Sequence, residues 1–599
     1  MCGIAGWYSC GASYDTPTLE RMRRILAHRG PDDHGIFVDP EAGLALAHNR
    51  LSILDLSERA HQPMTTEDGR WTLAYNGELY NFSALRQELE QAGCHFRSRS
   101  DTEVVLQALA SWGDAALDRF CGMFAFALWD RRERRLLLAR DPMGMKPLYY
   151  WARPGGGMVF VSEIKALWAL PDFRPVVDRE ALGQFVEFGY TYELHRTILA
   201  GVSKLPPGHR LAVAGGGVEE PQRYFFPATE TDFEASARAP VEARLYETMT
   251  RVVDEHLNAD VPVALLLSGG LDSGILAALA ARQRPIRTFS MGFSDSPVDE
   301  RPQARLVSRH IGSQHKEFLF SPADITEGIE NNAGWFDDLF GDWGLLTTRL
   351  LYRRCRAAGV KVVLVGEGAD ELFGGYTSFE FAAKAQRAPA WWRAFLLYRH
   401  YAGRRYGAGF LRFLAAFRGC LREAHGSFFG AVRLFETRHQ LPNNYVMKVD
   451  KASMSVSVEA RAPYLDRRIA EIAYRLPEAS LIRGRHCKWM LRSMAEQYRL
   501  LPEEIVWRDK FGAGIAASWI DAPGAFRGYA EDIILRPGGW TGALGLRPAM
   551  QAYFHASKFG YRFPHAISIF RNLAWRLLIL NLWAAAYRLD AEGTTRAAV

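Results

Sequence analysis

The sequence predicts two halves of different fold class: a layered α+β domain of antiparallel strands, then an α/β domain built on a parallel sheet and ending in a helical region. Three observations predict this. Over roughly the first 220 residues, short apolar or alternating runs bounded by Gly, Asp, Asn or Pro outnumber helical segments. From about Val241, apolar strand and helix alternate, with glycine loops at the strand ends, as in sheets that bind ligands at their carboxyl edge. The remainder is mostly helical and rich in Arg, Trp and Phe. A chain of 599 residues is also too long for a single core.

Taken in order, 44–47, 71–75, 124–129, 136–139 and 158–161 are expected strands, and 82–92 and 102–112 have helical spacing. The cluster Arg131, Arg132, Arg134 and Arg135 is expected to be a solvated turn between two strands. A polar stretch around 219–239 looks like a linker, which divides the chain into 1–225, a linker 226–240, 241–520 and a helical extension 521–599. In the second half, 263–267 is a strand, a helix follows from about Gly274, and 286–291 and 361–365 are further strands. The apolar run 573–586 is interrupted by Arg576 and Asn581 and is too short to cross a bilayer, so a buried terminal helix is expected.

Composition excludes several classes. Hydrophobic residues make up 48% and charged residues 23%, an ordinary globular balance. A net charge of +6, spread along the chain with no basic cluster interleaved with aromatics, argues against nucleic-acid binding. Seven cysteines without Cys-x-x-Cys or zinc spacing point to a reducing compartment. Met1-Cys2-Gly3-Ile4 lacks the basic start and apolar core of a signal peptide. A cytoplasmic location without membrane attachment is the expectation.

Ser268-Gly269-Gly270-Leu271-Asp272-Ser273 lies where the 263–267 strand meets a helix. Glycines admit close approach of a ligand, N–H groups at a helix start favour an anion, and the hydroxyls of Ser268 and Ser273 add donors. The Gly-Lys-Ser/Thr ending of a Walker loop is absent. A carboxylate in a phosphate cradle is best explained as a magnesium ligand, so Asp272 is a metal candidate.

This loop resembles the pyrophosphate loop of the ATP pyrophosphatase superfamily. The segment Gly366-Glu367-Gly368-Ala369-Asp370-Glu371-Leu372-Phe373-Gly374-Gly375-Tyr376 is similar to the matching segment of asparagine synthetases, and Glu459-Ala460-Arg461-Ala462-Pro463-Tyr464-Leu465-Asp466 extends the match. The resemblance implies that ATP is a cosubstrate and that Asp272 and Asp370 hold Mg2+ on its pyrophosphate. It implies that Leu266, Met291, Val365 and Gly366 flank the nucleotide beside Ser268, Gly269, Gly270 and Ser273. By the same resemblance, Glu367 takes a proton from the incoming ammonium and Lys488 neutralises charge at the adenylated centre. Two departures stand out: Val365 replaces the usual serine, and Trp343-Gly344 replaces a small residue and a proline-containing turn.

Cys2 is the second candidate site. Once Met1 is removed, its α-amino group, with a pKa of roughly 7.7–8.0, can accept the proton of its own thiol. Cys2-Gly3-Ile4-Ala5-Gly6, His28-Arg29-Gly30-Pro31-Asp32, His48-Asn49-Arg50-Leu51-Ser52-Ile53, Tyr75-Asn76-Gly77-Glu78 and Ser100-Asp101-Thr102-Glu103 resemble the class II glutamine amidotransferases, whose fold is an N-terminal-nucleophile (Ntn) α+β sandwich. The resemblance implies a glutamine site of Arg50, Leu51, Ile53, Asn76, Gly77, Glu78 and Asp101. In it Arg50 takes the α-carboxylate, Glu78 and Asp101 the ammonium, and Asn76 and Gly77 form the oxyanion hole.

The expected activity is glutamine hydrolysis coupled to amidation of an adenylated carboxylate. Aspartate is the expected acceptor; the alternative is a sugar acid or secondary-metabolite precursor. For aspartate, Asp337, Asp338 and Asp342 offer the anion its ammonium needs, and Arg349 or Arg461 the cation. A homodimer is common among such relatives. The last eighty or so residues carry no assignable role.

Overall fold

Strand Cys2–Tyr8 lies inside an antiparallel sheet, between Leu44–Arg50 and Met158–Val161. The computed structural model describes residues 2–8, 14–154, 156–215, 217–225, 238–294, 299–330, 333–385, 389–402, 409–509, 519–521, 524–558 and 564–589. Among these, the sheet has six strands, in the order Val202–Lys204, Tyr149–Ala152, Met158–Val161, Cys2–Tyr8, Leu44–Arg50 and Asp33–Asp39. A second antiparallel sheet runs through Gly217–Val218, His209–Ala214, Arg135–Arg140, Gly122–Asp130, Trp71–Leu79 and Met64–Thr65, with Gln222–Arg223 paired to His209–Ala214.

The two sheets stack face to face. Ile4, Leu46 and Phe160 of the first meet Ala74, Trp129 and Leu138 of the second in one buried cluster. Along Trp71–Leu79 the side chains alternate, so Leu73 and Tyr75 face the other way, onto helices Phe82–Gln91 and Asp101–Trp112. Helix Thr16–Ile25 covers the outer face of the first sheet. The result is the layered antiparallel α+β architecture expected. Strands buried on both faces read as continuous apolar runs, which is why they were visible in the sequence. Asp33–Asp39 was not, because it is a half-exposed edge strand. The residues 131–134 form the exposed turn that the arginine cluster implied.

The second half holds a five-stranded parallel sheet among the described residues, in the order Gln314–Phe320, Arg287–Phe293, Val263–Leu266, Val362–Leu364, Glu459–Arg461. The chain builds outward on one side of Val263–Leu266, then returns to the other. The topological switch therefore lies between Val263–Leu266 and Val362–Leu364, the place where such sheets open a ligand crevice. The helix expected from about Gly274 begins earlier, as Leu271–Gln283 with Gly270 as its N-cap. Gly269 has φ +77, and a Cβ there would meet Ala304 N at 2.5 Å, so only glycine fits the turn. Asp272 and Ser273 thus sit in the helix's first turn.

The expected linker 226–240 lies mostly outside the described residues, and residues 238–240 already belong to helix Arg238–His256. The run 573–586 is part of the last helix, Pro564–Ala586, with Trp575 and Trp583 fully buried. This helix is not a detached extension: Trp583 Nε1 donates to Asp337 O at 3.2 Å, and Arg576 reaches the first half at Val186 O. No helix among the described residues is long and apolar enough to cross a membrane.

The halves meet across buried charge. The Arg29 guanidinium, wholly buried, bonds Glu163 at 2.7 Å and Asp450 at 2.9 Å. Arg461, at the end of the last parallel strand, bonds Glu459 beside it and lies 3.2 Å from Glu78 of the first half.

Candidate active site

Strand pairing builds the first centre. Cys2 lies opposite Arg50 on the neighbouring strand, and its N–H donates to Asn76 Oδ1 at 2.9 Å across the sandwich. Asn76 is fully buried, and its Nδ2 has no hydrogen-bond partner. A buried amide donor left open beside a cysteine has the placement an oxyanion requires. Burial pushes the Cys2 thiol up, while a hydrogen bond from the Leu51 backbone pulls it down. Gly77 runs so close to the next strand that a Cβ would meet Met123 O at 2.5 Å.

Around this pair, Arg50 donates to the carbonyls of Leu54, Asp55 and Ser57 and so shapes the 51–57 loop. Leu51 and Ile53 of that loop are buried, and Ile53 O accepts from Asp260 N of the second half. Asp101 accepts from Leu79 N at 2.9 Å; burial raises its carboxyl to about 6. Glu78 is buried and paired with Arg461.

The second centre is a cavity of about 820 Å³ at the switch point, within the usual range for small-molecule sites. Leu266, Ser268, Asp272, Ser273, Met291, Val365, Gly366, Glu367 and Asp370 all line it. Gly269 and Gly270 shape its loop from behind. There, the Ser268 and Ser273 hydroxyls lie 3.0 Å apart, and Gly270 N donates to Ser268 Oγ. A Cβ on Gly366 would stand 3.3 Å from Ser273 N, so the two glycine loops touch.

Lys488 Nζ sits between Asp272 Oδ2, at 2.5 Å, and Asp370 Oδ1, at 2.7 Å. Burial opposes the charge, but the two carboxylates hold the lysine above its usual pKa. Lys488 adopts φ +56 at the N-cap of helix Trp489–Gln497, a backbone state that a non-glycine residue holds only under outside constraint. Two hard oxygen donors converging on one cationic centre are a donor set that suits magnesium. Burial raises the Glu367 carboxyl, with Lys448 opposing.

Residues 1–225 match the family model of the glutamine amidotransferase domain, and residues 244–585 that of asparagine synthase. Glutamine-hydrolysing asparagine synthetase 3 of Bacillus subtilis (strain 168) is 31% identical, with 85% of this chain and 86% of that protein covered. The chain belongs to the glutamine-hydrolysing asparagine synthetase family. Synthetase 1 of the same organism is 30% identical over 86% of each chain. Synthetase 2 of Arabidopsis thaliana is 30% identical over 87% of this chain and 80% of its own. Membership makes this chain an enzyme, a glutamine-dependent ligase.

The structure separates the acceptor candidates that the sequence offered. Arg461 is spent on Glu459, Glu78 and the carbonyls of His256 and Asn258. Arg349 bonds Ser455 Oγ, and neither arginine lines the cavity. Asp337 is paired with Lys451, and Asp338 accepts from Ile198 N, both away from it. Asp342 and Trp343 do line it, together with Asn444, Tyr445, Lys448, Asn572 and Arg576, which the sequence reading missed. One signal was available. Arg576 interrupts an otherwise apolar helix, and a charge in such a run needs a destination.

Proposed function

We propose that the chain moves the amide nitrogen of glutamine onto a carboxylate activated by ATP, and that the acceptor is aspartate, giving asparagine. The observation that carries this reading is the pairing, in one chain, of a buried cysteine beside an open amide donor with a cavity lined by Asp272 and Asp370, the two carboxylates that hold Lys488.

At the first centre the freed α-amine of Cys2 takes the thiol proton and the sulfur attacks the side-chain carbonyl of glutamine. Asn76 Nδ2 and Gly77 N–H receive the oxyanion. Collapse breaks the C–N bond and releases ammonia, and water cleaves the thioester to glutamate. Arg50 serves the α-carboxylate, Glu78 and Asp101 the ammonium, and Leu51 and Ile53 wall the pocket.

At the second centre a carboxylate oxygen of the acceptor attacks the α-phosphorus of ATP and pyrophosphate leaves. Ser268, Gly269, Gly270 and Ser273 supply donors to the phosphates, and Leu266, Met291, Val365 and Gly366 flank the nucleotide. Asp272 and Asp370 are the residues that would hold magnesium, whose contribution when bound is to neutralise the departing pyrophosphate. Glu367 takes the proton that ammonia sheds as it displaces AMP, and Lys488 faces the charge that develops.

A second reading changes only the acceptor. At about 820 Å³, the cavity has room for a larger carboxylate such as a sugar acid or secondary-metabolite precursor. Pyrophosphate release with glutamine, ATP and magnesium tests both. The aspartate reading expects release that depends on aspartate and matches asparagine formed. Glutaminase turnover without aspartate-dependent pyrophosphate contradicts it and shifts the assignment to the larger acceptor.

A further inference from the structure

One residue lining the large cavity carries a charge that no acid pairs with among the described residues. Arg576, on helix Pro564–Ala586, lies in the cavity wall. Its Nη1 donates to the carbonyls of Val186, at 2.9 Å, and Glu187, at 2.6 Å. Those carbonyls belong to the last turn of helix Arg179–Phe188, so one corner of the guanidinium caps that helix. Capping accounts for that nitrogen only. Among the described residues Nε and Nη2 have no hydrogen-bond acceptor and no ion pair. The Glu187 carboxylate acts on Arg576 at a distance, but its hydrogen bond is with Tyr398 Oη, at 3.3 Å. A Cβ on Gly189 would stand 3.1 Å from Nε, so the glycine keeps that edge clear. Burial lowers the guanidinium to about 10, which leaves it charged at neutral pH. The side chain is half-buried and lines the cavity, so its unpaired edge is open to a ligand anion.

One turn earlier on the same helix, Asn572 also lines the cavity, and its Oδ1 accepts from Trp343 Nε1 at 3.0 Å. That leaves the Nδ2 donors unassigned beside Arg576, at the i, i+4 spacing that puts two side chains on one face. The Trp343 ring also stacks on Trp575 at 4.5 Å and 20°. Asp342, next to Trp343 in the chain, also lines the cavity; its carboxylate accepts from Gly344 N at 2.7 Å and lies 3.5 Å from Lys448 Nζ.

We infer that Arg576, assisted by Asn572, binds a second carboxylate of the acceptor, the one that is not adenylated. The last helix is then the specificity element of the synthetase site, and the acceptor class is a dicarboxylate. For aspartate this second group is the α-carboxylate, and Asp342 faces the α-ammonium. The inference rests on the amidation reading above.

The test uses the full-length enzyme with saturating ATP, magnesium and ammonium, and compares L-aspartate with β-alanine, which lacks the α-carboxylate. Wild type should prefer aspartate, and Arg576→Gln should lower kcat/KM for aspartate by about 100-fold, mostly through KM, while β-alanine is unaffected. Asn572→Asp keeps an oxygen for Trp343 but hands Arg576 an internal counter-ion, and should raise KM for aspartate in the same way. Glutaminase turnover serves as the control for folding. Equal losses for both acceptors would mean that Arg576 only supports the fold, and would overturn the inference. If wild type uses neither acceptor, the aspartate reading fails and the inference is read separately. Equilibrium titration of indole fluorescence with aspartate, glutarate and hexanedioate should then show binding that Arg576→Gln abolishes. Binding of none of them, or binding indifferent to the substitution, would overturn it.

Discussion

In the proposed glutaminase centre, Cys2 relies on its own α-amine rather than on a histidine. His48, on the adjoining strand, is held neutral by burial, at about 3, and bonds Tyr75 O. The account predicts that Cys2→Ala abolishes glutamine use but leaves synthesis from ammonium salts largely intact. Asn76→Ala should cost glutaminase kcat about 10²–10³-fold, the usual loss when one oxyanion donor is removed, with ammonia-driven synthesis unchanged. Loss of both activities in a folded variant would contradict the division of labour. Asp101 gives a pH signature. Its folded pKa is raised to about 6 by burial, so the anion proposed to receive the glutamine ammonium is present above that value and disappears as pH falls through it. The profile of kcat/KM for glutamine should therefore lose about tenfold per unit below roughly pH 6. Asp101→Asn should flatten that limb as it lowers the maximum.

At the scale of elements, the synthetase centre depends on two glycine loops held edge to edge by the pairing of Val263–Leu266 with Val362–Leu364. Gly375 backs this arrangement: a Cβ there would collide with Asp370 Oδ1 and Lys488 Cε. Gly375→Ala is predicted to cut acceptor-dependent pyrophosphate release by at least about 100-fold, comparable to Asp272→Asn or Asp370→Asn, since several kcal/mol rest on that charge arrangement. Steady-state kinetics with intact glutaminase turnover as the control checks it. The loops were legible in the sequence because glycines, acids and hydroxyls must sit at fixed spacing beside a strand. The opposite lining of the cavity was not, because it is assembled from 342–348, 444–448 and 572–576, none of which carries a pattern of its own. Short or polar strands such as Gln314–Phe320 and Glu459–Arg461 were missed for a related reason. Both are edge strands: Gln314–Phe320 is half-exposed, and Glu459–Arg461 is buried through an ion pair rather than an apolar run.

In the whole molecule, the two centres are joined by buried charge rather than by a loose hinge. Arg461 pairs with Glu78 at the glutamine centre, while its carbonyl accepts from Val365 N at 2.9 Å, two residues before Glu367. Arg29 ties the strand bearing Cys2 to Asp450 of the second half, donating to Cys2 O at 3.0 Å as well. Asp450→Ala strips a wholly buried guanidinium of one partner, and breaking such a pair costs about 3–5 kcal/mol. Calorimetry should show the first unfolding transition shifted down in the variant; an unchanged transition would deny this interface its role. The central claim is that one chain moves nitrogen from glutamine to a carboxylate that ATP has adenylated. Mass spectrometry of the products from [amide-15N]glutamine, ATP and aspartate labelled with 18O in its β-carboxylate tests this most directly. The account predicts AMP carrying one 18O, and asparagine carrying one 15N and one 18O. Unlabelled AMP, or ADP and phosphate in its place, would contradict it.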